Sequence, residues 1–175
     1  MWAIVKDNEI TETFSNLKGL VVGNTRHSRK IFSLWTEAER NAIGVYEIVH
    51  DNSNRKDDSL YTNTDVSYAF ADGKVTASYG TATPKELDDV KSQKKAIVKS
   101  QAGEILTVTD WYVVKATEVE SYSVPEAMTT YRADVRTASN DMESKIDACS
   151  TVDELAALYV YTDGSRPLGE FPEAV

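Results

Sequence analysis

A seven-residue spacing of apolar side chains near the C-terminus constrains this chain more than any other feature. Met128, Val135, Met142 and Cys149 recur every seven residues, Tyr131 and Ala138 follow the first two by three, and Ile146 follows Met142 by four. On an α-helix such positions fall on one side, so they form a seam about three heptads long that asks for a partner helix. The opposite side carries Asp134, Thr137, Asp141 and Ser144, which suit water. Ser123 and Glu126 have the spacing of a capping box, and Pro125 sits in the first turn, where its missing N–H costs nothing. A helix over 125–149 is the prediction.

Composition narrows the class. The chain has 175 residues, 41% of them apolar, enough to bury a core as one domain or as a small domain with an appendage. No apolar run approaches the length that crosses a bilayer, and Met1 to Asp7 reads as a short strand, not a secretory signal, so neither membrane nor export is expected. The single cysteine, Cys149, has no partner for an internal disulfide and lies on the seam as a small core residue. The net charge is −9, and residues 105–175 hold five basic against thirteen acidic side chains. Phosphate neutralisation needs a basic surface, so no nucleic-acid partner is expected; solubility or a basic protein partner fits the charge equally well.

From the N-terminus, Trp2–Val5 and Ile10–Phe14 read as a hairpin around Lys6-Asp7-Asn8-Glu9, and Leu20–Val22 before Gly23-Asn24 reads as a second one, with Ile31-Phe32 following. Thr36 and Glu39 form a capping box for a two-turn helix that Gly44 closes, after which Val45–Val49 is a strand. Residues 65–70 and 75–80 alternate apolar and polar around Asp72-Gly73, the mark of another hairpin. Beyond Gly80 the pattern changes. Thr83-Pro84-Lys85-Glu86 predicts a helix start, and the helix runs to about Gln101 with Gly103 ending it. Its apolar stripe (Leu87, Val90, Ile97, Val98) is thin and its lysines many, which fits a solvated face or antiparallel pairing with the acidic helix. Asp110–Val114 is expected to cap the helix pair with Trp111 buried and its N–H bonded. Thr151 to Glu154 starts a third helix with Leu155, Leu158 and Tyr159 inward, and the segment after Thr162 is an arm that must lie on something to be ordered.

No constellation points to catalysis. His27 and His50 stand in no ligand spacing, and phosphate-loop, dinucleotide and nucleophile-elbow patterns are absent. Asp51–Asp58 opens like a calcium loop, but Arg55, Lys56 and Thr62 occupy places that need an oxygen ligand, a glycine and the closing glutamate. No catalytic, metal or cofactor residues are therefore assigned, and a non-enzymatic protein is expected.

Two segments resemble proteins of tailed bacteriophages. One runs from Lys18-Gly19-Leu20 through Arg29-Lys30-Ile31-Phe32-Ser33-Leu34-Trp35-Thr36-Glu37-Ala38-Glu39 to Ala42-Ile43-Gly44-Val45-Tyr46. The other is Leu106–Lys115 with Val124-Pro125 and Tyr131–Arg136; it is similar to tail-fibre assembly and tail-associated structural proteins, in which Thr-Asp-Trp precedes a Tyr-Arg-x-x-x-Arg helix. The resemblance implies a virion setting (tail, baseplate or fibre attachment) with other virion proteins as partners. An assembly chaperone absent from the finished particle and a capsid decoration protein are the alternatives.

The resulting expectation is an α+β chain: a small, mostly antiparallel β domain at 1–80 with one short helix, a helical hairpin with a third helix at 84–162, and an arm at 163–175. The seam and its flank are the expected partner interface, a homo-oligomer included: Met128, Tyr131, Val135, Met142 and Ile146, with Arg132 and Arg136 one turn apart, spaced either to clamp a neighbour's carboxylate or to pair with acids of their own helix. Trp111, Tyr112 and Phe171 complete it.

Overall fold

The structure, a computed structural model, describes residues 1–174. It is α+β, and the chain divides into two units, Met1–Thr83 and Pro84–Val175.

The first unit is a curled five-stranded sheet. Strands β1 (Trp2–Lys6) and β2 (Glu9–Phe14) form the N-terminal hairpin; β3 (Leu20–Val22) and β4 (Thr25–His27) form a separate ribbon. Helices α1 (Ile31–Leu34) and α2 (Glu37–Ala42) lead into β5 (Val45–Asp51). A short strand β6 (Tyr61–Thr62), later paired with β9 (Thr83–Pro84), precedes the hairpin of β7 (Val66–Ala71) and β8 (Lys74–Tyr79). The sheet order is β2-β1-β5-β8-β7, antiparallel except where β5 meets β8, and the edges β2 and β7 approach within 8 Å. Strand alternation gives the sheet two apolar faces. Ala3, Val5, Ile48, Val75 and Ala77 cluster on one; Ile4, Phe14 and Val45 lie on the other, covered by Leu20 and Ile31.

Local signals explain the turns. Asp7 and Asn8, and likewise Asp72 and Gly73, have positive φ at both central positions, which a tight hairpin needs to match the strand twist. The Thr36–Glu39 capping box is present: Glu39 Oε2 accepts from the Thr36 backbone N–H at 2.7 Å and Thr36 Oγ1 accepts from the Glu39 N–H at 3.3 Å. That bond from Thr36 holds the Glu39 carboxyl below its ordinary range. The second hairpin is tighter than expected. Gly23-Asn24 alone forms its turn, so the return strand is Thr25–His27, and Ile31-Phe32 instead begin a helical turn that drops Ile31 onto the sheet.

Gly44 ties the helix to the sheet. Its φ is +80°, its carbonyl accepts from the Val5 N–H at 2.8 Å, and a Cβ there would stand 2.4 Å from the Val5 carbonyl oxygen. Gly44→Ala therefore meets both left-handed strain and a backbone clash. Denaturant unfolding is expected to show a loss of about 2 kcal/mol; a loss under about 0.5 kcal/mol would mean the turn relaxes freely.

The second unit is helical: α3 (Leu87–Thr107), α4 (Asp110–Glu118), α5 (Glu126–Ala148) and α6 (Val152–Ala157). Helices α3 and α5 run antiparallel, with Lys99 Nζ 3.1 Å from Glu143 and Lys95 Nζ 2.7 Å from Asp147 along one edge. Of the two expected roles for the α3 lysines, pairing with the acidic helix is therefore realised at these two.

Helix ends depart from expectation. Helix α3 starts at Leu87, because Thr83–Pro84 is taken into β9 and Glu86 stands in extended conformation as its N-cap. It also runs through Gly103 to Thr107. Burial of the next turn's Ile105 and Leu106 against Ala102, Met128 and Tyr131 outweighs the roughly 1 kcal/mol that a helical glycine costs. Ser123 gives α5 no side-chain cap; Pro125 takes the N-cap position. Thr151, by contrast, caps α6 as expected, accepting from the Glu154 N–H at 3.1 Å.

The segment expected as an arm folds into this unit. Lys145 Nζ donates to the Pro167 and Leu168 carbonyls at 2.9 and 3.1 Å, and the Leu168 N–H donates to the Leu158 carbonyl at 3.0 Å. Leu168 is buried and Phe171 packs on the α3–α5 cluster. None of the described helices is long and apolar enough to cross a membrane.

Candidate interaction surface

The seam lies inside the molecule. Met128, Tyr131, Val135, Met142, Ile146 and Cys149 are each 7% exposed or less, and Ala102, Ile105, Leu106, Tyr112, Val124 and Phe171 pack against its first half. The partner helix that the heptads demand is α3 of the same chain. The expectation of an interface with another protein through Met128, Tyr131, Val135, Met142 and Ile146 is thereby corrected: all five are buried within the unit. Phe171 likewise covers the seam from within. Cys149 is a core thiol whose pKa burial pushes up, with Glu154 nearby acting in the same direction. That is the opposite of what a nucleophile needs.

Arg132 clamps, but inside its own unit. The residue is 8% exposed; Nη1 donates to the Leu106 carbonyl at 2.8 Å and to the Thr109 hydroxyl, and Nη2 donates to Asp110 Oδ1 at 2.8 Å. The guanidinium thus holds the end of α3 to the start of α4 from the middle of α5. Arg136 donates to the Arg132 carbonyl at 3.1 Å and is exposed. The two halves of the Thr-Asp-Trp and Tyr-Arg-x-x-x-Arg pattern therefore meet in space, with Thr109 and Asp110 bonded to Arg132.

What this latch presents is α4. The Asp110–Val114 stretch is helical, and contrary to expectation Trp111 is not buried: no residue of α4 is. Trp111 is 51% exposed, stacked on Tyr112 at 3.7 Å between ring centroids and bounded by Lys115 Nζ at 6.0 Å. Val108, Val113, Val114 and Val119 are exposed beside it. A hollow of about 390 Å³ opens at this patch, lined by Ile105, Val108, Trp111, Tyr112, Met128 and Tyr131. Tyr131 also borders a second hollow, of about 590 Å³, whose rim carries Glu126, Asp134 and Glu173. Among the described residues no basic side chain is ion-paired with these three carboxylates.

Sequence reasoning named Trp111 and Tyr112 but not the valines, although a signal existed. Successive helical residues turn by about 100°, so Trp111-Tyr112-Val113-Val114 spans most of the perimeter and cannot all face a core. In the first unit a concavity of about 820 Å³ lies beside the β3–β4 ribbon and is lined by Ile4, Val5, Lys6, Val22, His27 and Ile43 among others. Among the described residues no three His, Cys, Asp or Glu side chains come together to hold a metal ion. No family model matches the chain, and neither curated proteins nor solved structures return a match.

Proposed function

We propose that this chain is a non-enzymatic structural or adaptor protein of a tailed-phage virion, set in the tail, baseplate or fibre-attachment region and joined to its neighbours through α4. The observation that carries the binding part is a nine-residue helix with no buried residue, held in place by a buried arginine, displaying Trp111, Val113 and Val114 and flanked by the exposed Val108 and Val119. An exposed apolar patch of this kind, fixed by polar bonds behind it, marks a contact surface and not a core. The virion setting is supported by the resemblance of Leu106–Lys115 and Tyr131–Arg136 to tail-region proteins, whose two parts the Arg132 bonds join. Quantitative mass spectrometry of purified particles tests the setting: stoichiometric copies are expected, and complete absence from mature particles would replace this reading with that of an assembly chaperone.

Trp111→Ala removes the largest exposed side chain of the patch without touching the core. Particle incorporation is expected to fall about tenfold, as for truncation of an aromatic hot spot, with the unfolding midpoint of the purified chain unchanged. Full incorporation of the variant would exclude α4 as the contact.

A further inference from the structure

The chain carries both halves of a complementary pair, one in each unit. Between Thr13 and Thr36 there is no acidic residue, although the whole chain has net charge −9, and the stretch holds Lys18, Arg26, Arg29 and Lys30. Lys18 is paired with Glu12 at 3.0 Å. Arg26, Arg29 and Lys30 are exposed, and among the described residues no carboxylate is ion-paired with them. Apolar side chains stand among them: Val21, 64% exposed, is the cross-strand neighbour of Arg26, and Leu34, 73% exposed, lies one helical turn beyond Lys30. Cross-strand neighbours share a side of a ribbon, so Val21 and Arg26 present together. The second unit offers the inverse: the apolar hollow of Trp111 and Val108 beside the unpaired Glu126, Asp134 and Glu173.

We propose that the acidic, apolar face around α4 receives the basic β3–β4 ribbon and α1 of a second copy of this chain. Each partner then supplies what the other lacks, apolar contact in the middle and opposite charge at the rim. Because the two surfaces are different patches of one chain, the contact is head to tail and repeats into a ring or a filament. The inference rests on the proposed function only in taking α4 as a contact surface; its occupant is new.

Sedimentation velocity on the full chain tests it. Association is expected at about 0.05 M salt and weakening at about 0.5 M, where rim charges are screened. Arg26→Glu, Arg29→Glu and Lys30→Glu together should raise the dissociation constant at least about tenfold, and so should Glu126→Lys, Asp134→Lys and Glu173→Lys together. Mixed in equal amounts, the two triple variants should associate again, because each now offers the charge that the other needs; a misfolded variant cannot give this rescue. A chain that is monomeric at every concentration in low salt, docking within one chain, or association that both triple variants retain would each overturn the proposal. Mass spectrometry of particles keeps the two readings apart: a monomeric chain that still enters virions in a Trp111-dependent way ends this inference and leaves the proposed function standing.

Discussion

Ile146→Ala is expected to destabilise the second unit by about 4 kcal/mol, the largest effect of any single change considered, and to leave association untouched. Ile146 is wholly buried on the seam, in the half of α5 where Lys95 and Lys99 tie α3 to Asp147 and Glu143. Truncation removes three methyl or methylene groups from water-free surroundings and leaves a cavity that two helices joined by ion pairs close only partly. Denaturant unfolding monitored by far-ultraviolet circular dichroism measures the loss. The same experiment separates a core seam from an adhesive one. Were the seam an interface, the purified variant would lose under about 1 kcal/mol as a monomer and would instead change its state of association.

Legibility in the sequence followed the range of the forces involved. The α+β class, the hairpins at Asp7-Asn8 and Asp72-Gly73, the Thr36–Glu39 and Thr151–Glu154 caps and the length of α5 rest on neighbours a few residues apart, so they could be read directly. Helix ends set by distant partners could not. Thr83–Pro84 looked like a helix start until β6 claimed it, and Gly103 looked like a stop until Ile105 and Leu106 found Met128 and Tyr131. The seam shows the same division more sharply. Its periodicity states that a helix must cover it and is silent on whether that helix belongs to this chain, because α3 has too thin a stripe to advertise itself. Small residues supply the answer: Ala102 lets the helices approach, and the lysines pair along the edge instead of filling the gap. The α4 surface was half visible, through Trp111 and Tyr112, but its outward placement was not, because the Arg132 bonds that hold the α3–α4 corner come from over twenty residues away and no local pattern announces them.

Those bonds lead to the second large effect, an expected loss of about 3 kcal/mol for Arg132→Ala together with loosening of α4 alone. Three acceptors converge on the guanidinium: the Leu106 carbonyl, the Thr109 hydroxyl and Asp110 Oδ1. They would not fare equally without it. The Leu106 carbonyl keeps the Thr109 N–H at 3.0 Å and the Thr109 hydroxyl at 2.8 Å, and Asp110, whose side chain is 55% exposed, returns to water. Orphaned acceptors therefore contribute little. The cost comes from the lost charge-assisted bonds and from the space left where a long side chain was buried, which is why it falls below that of a buried ion pair broken deep in a core. It is also local, since what the guanidinium joins is the α3–α4 corner to α5, while the Lys95–Asp147 and Lys99–Glu143 pairs hold the other end of the helix pair. Hydrogen exchange read by mass spectrometry should show amides of residues 108–118 exchanging at least about tenfold faster and those of 140–148 unchanged. Arg132→Lys offers one point charge in place of a planar fork and should recover less than half of the loss. Unchanged exchange in α4 combined with lost particle incorporation would make Arg132 a residue that touches the partner, and the account of α4 as a helix held from behind would fall with it.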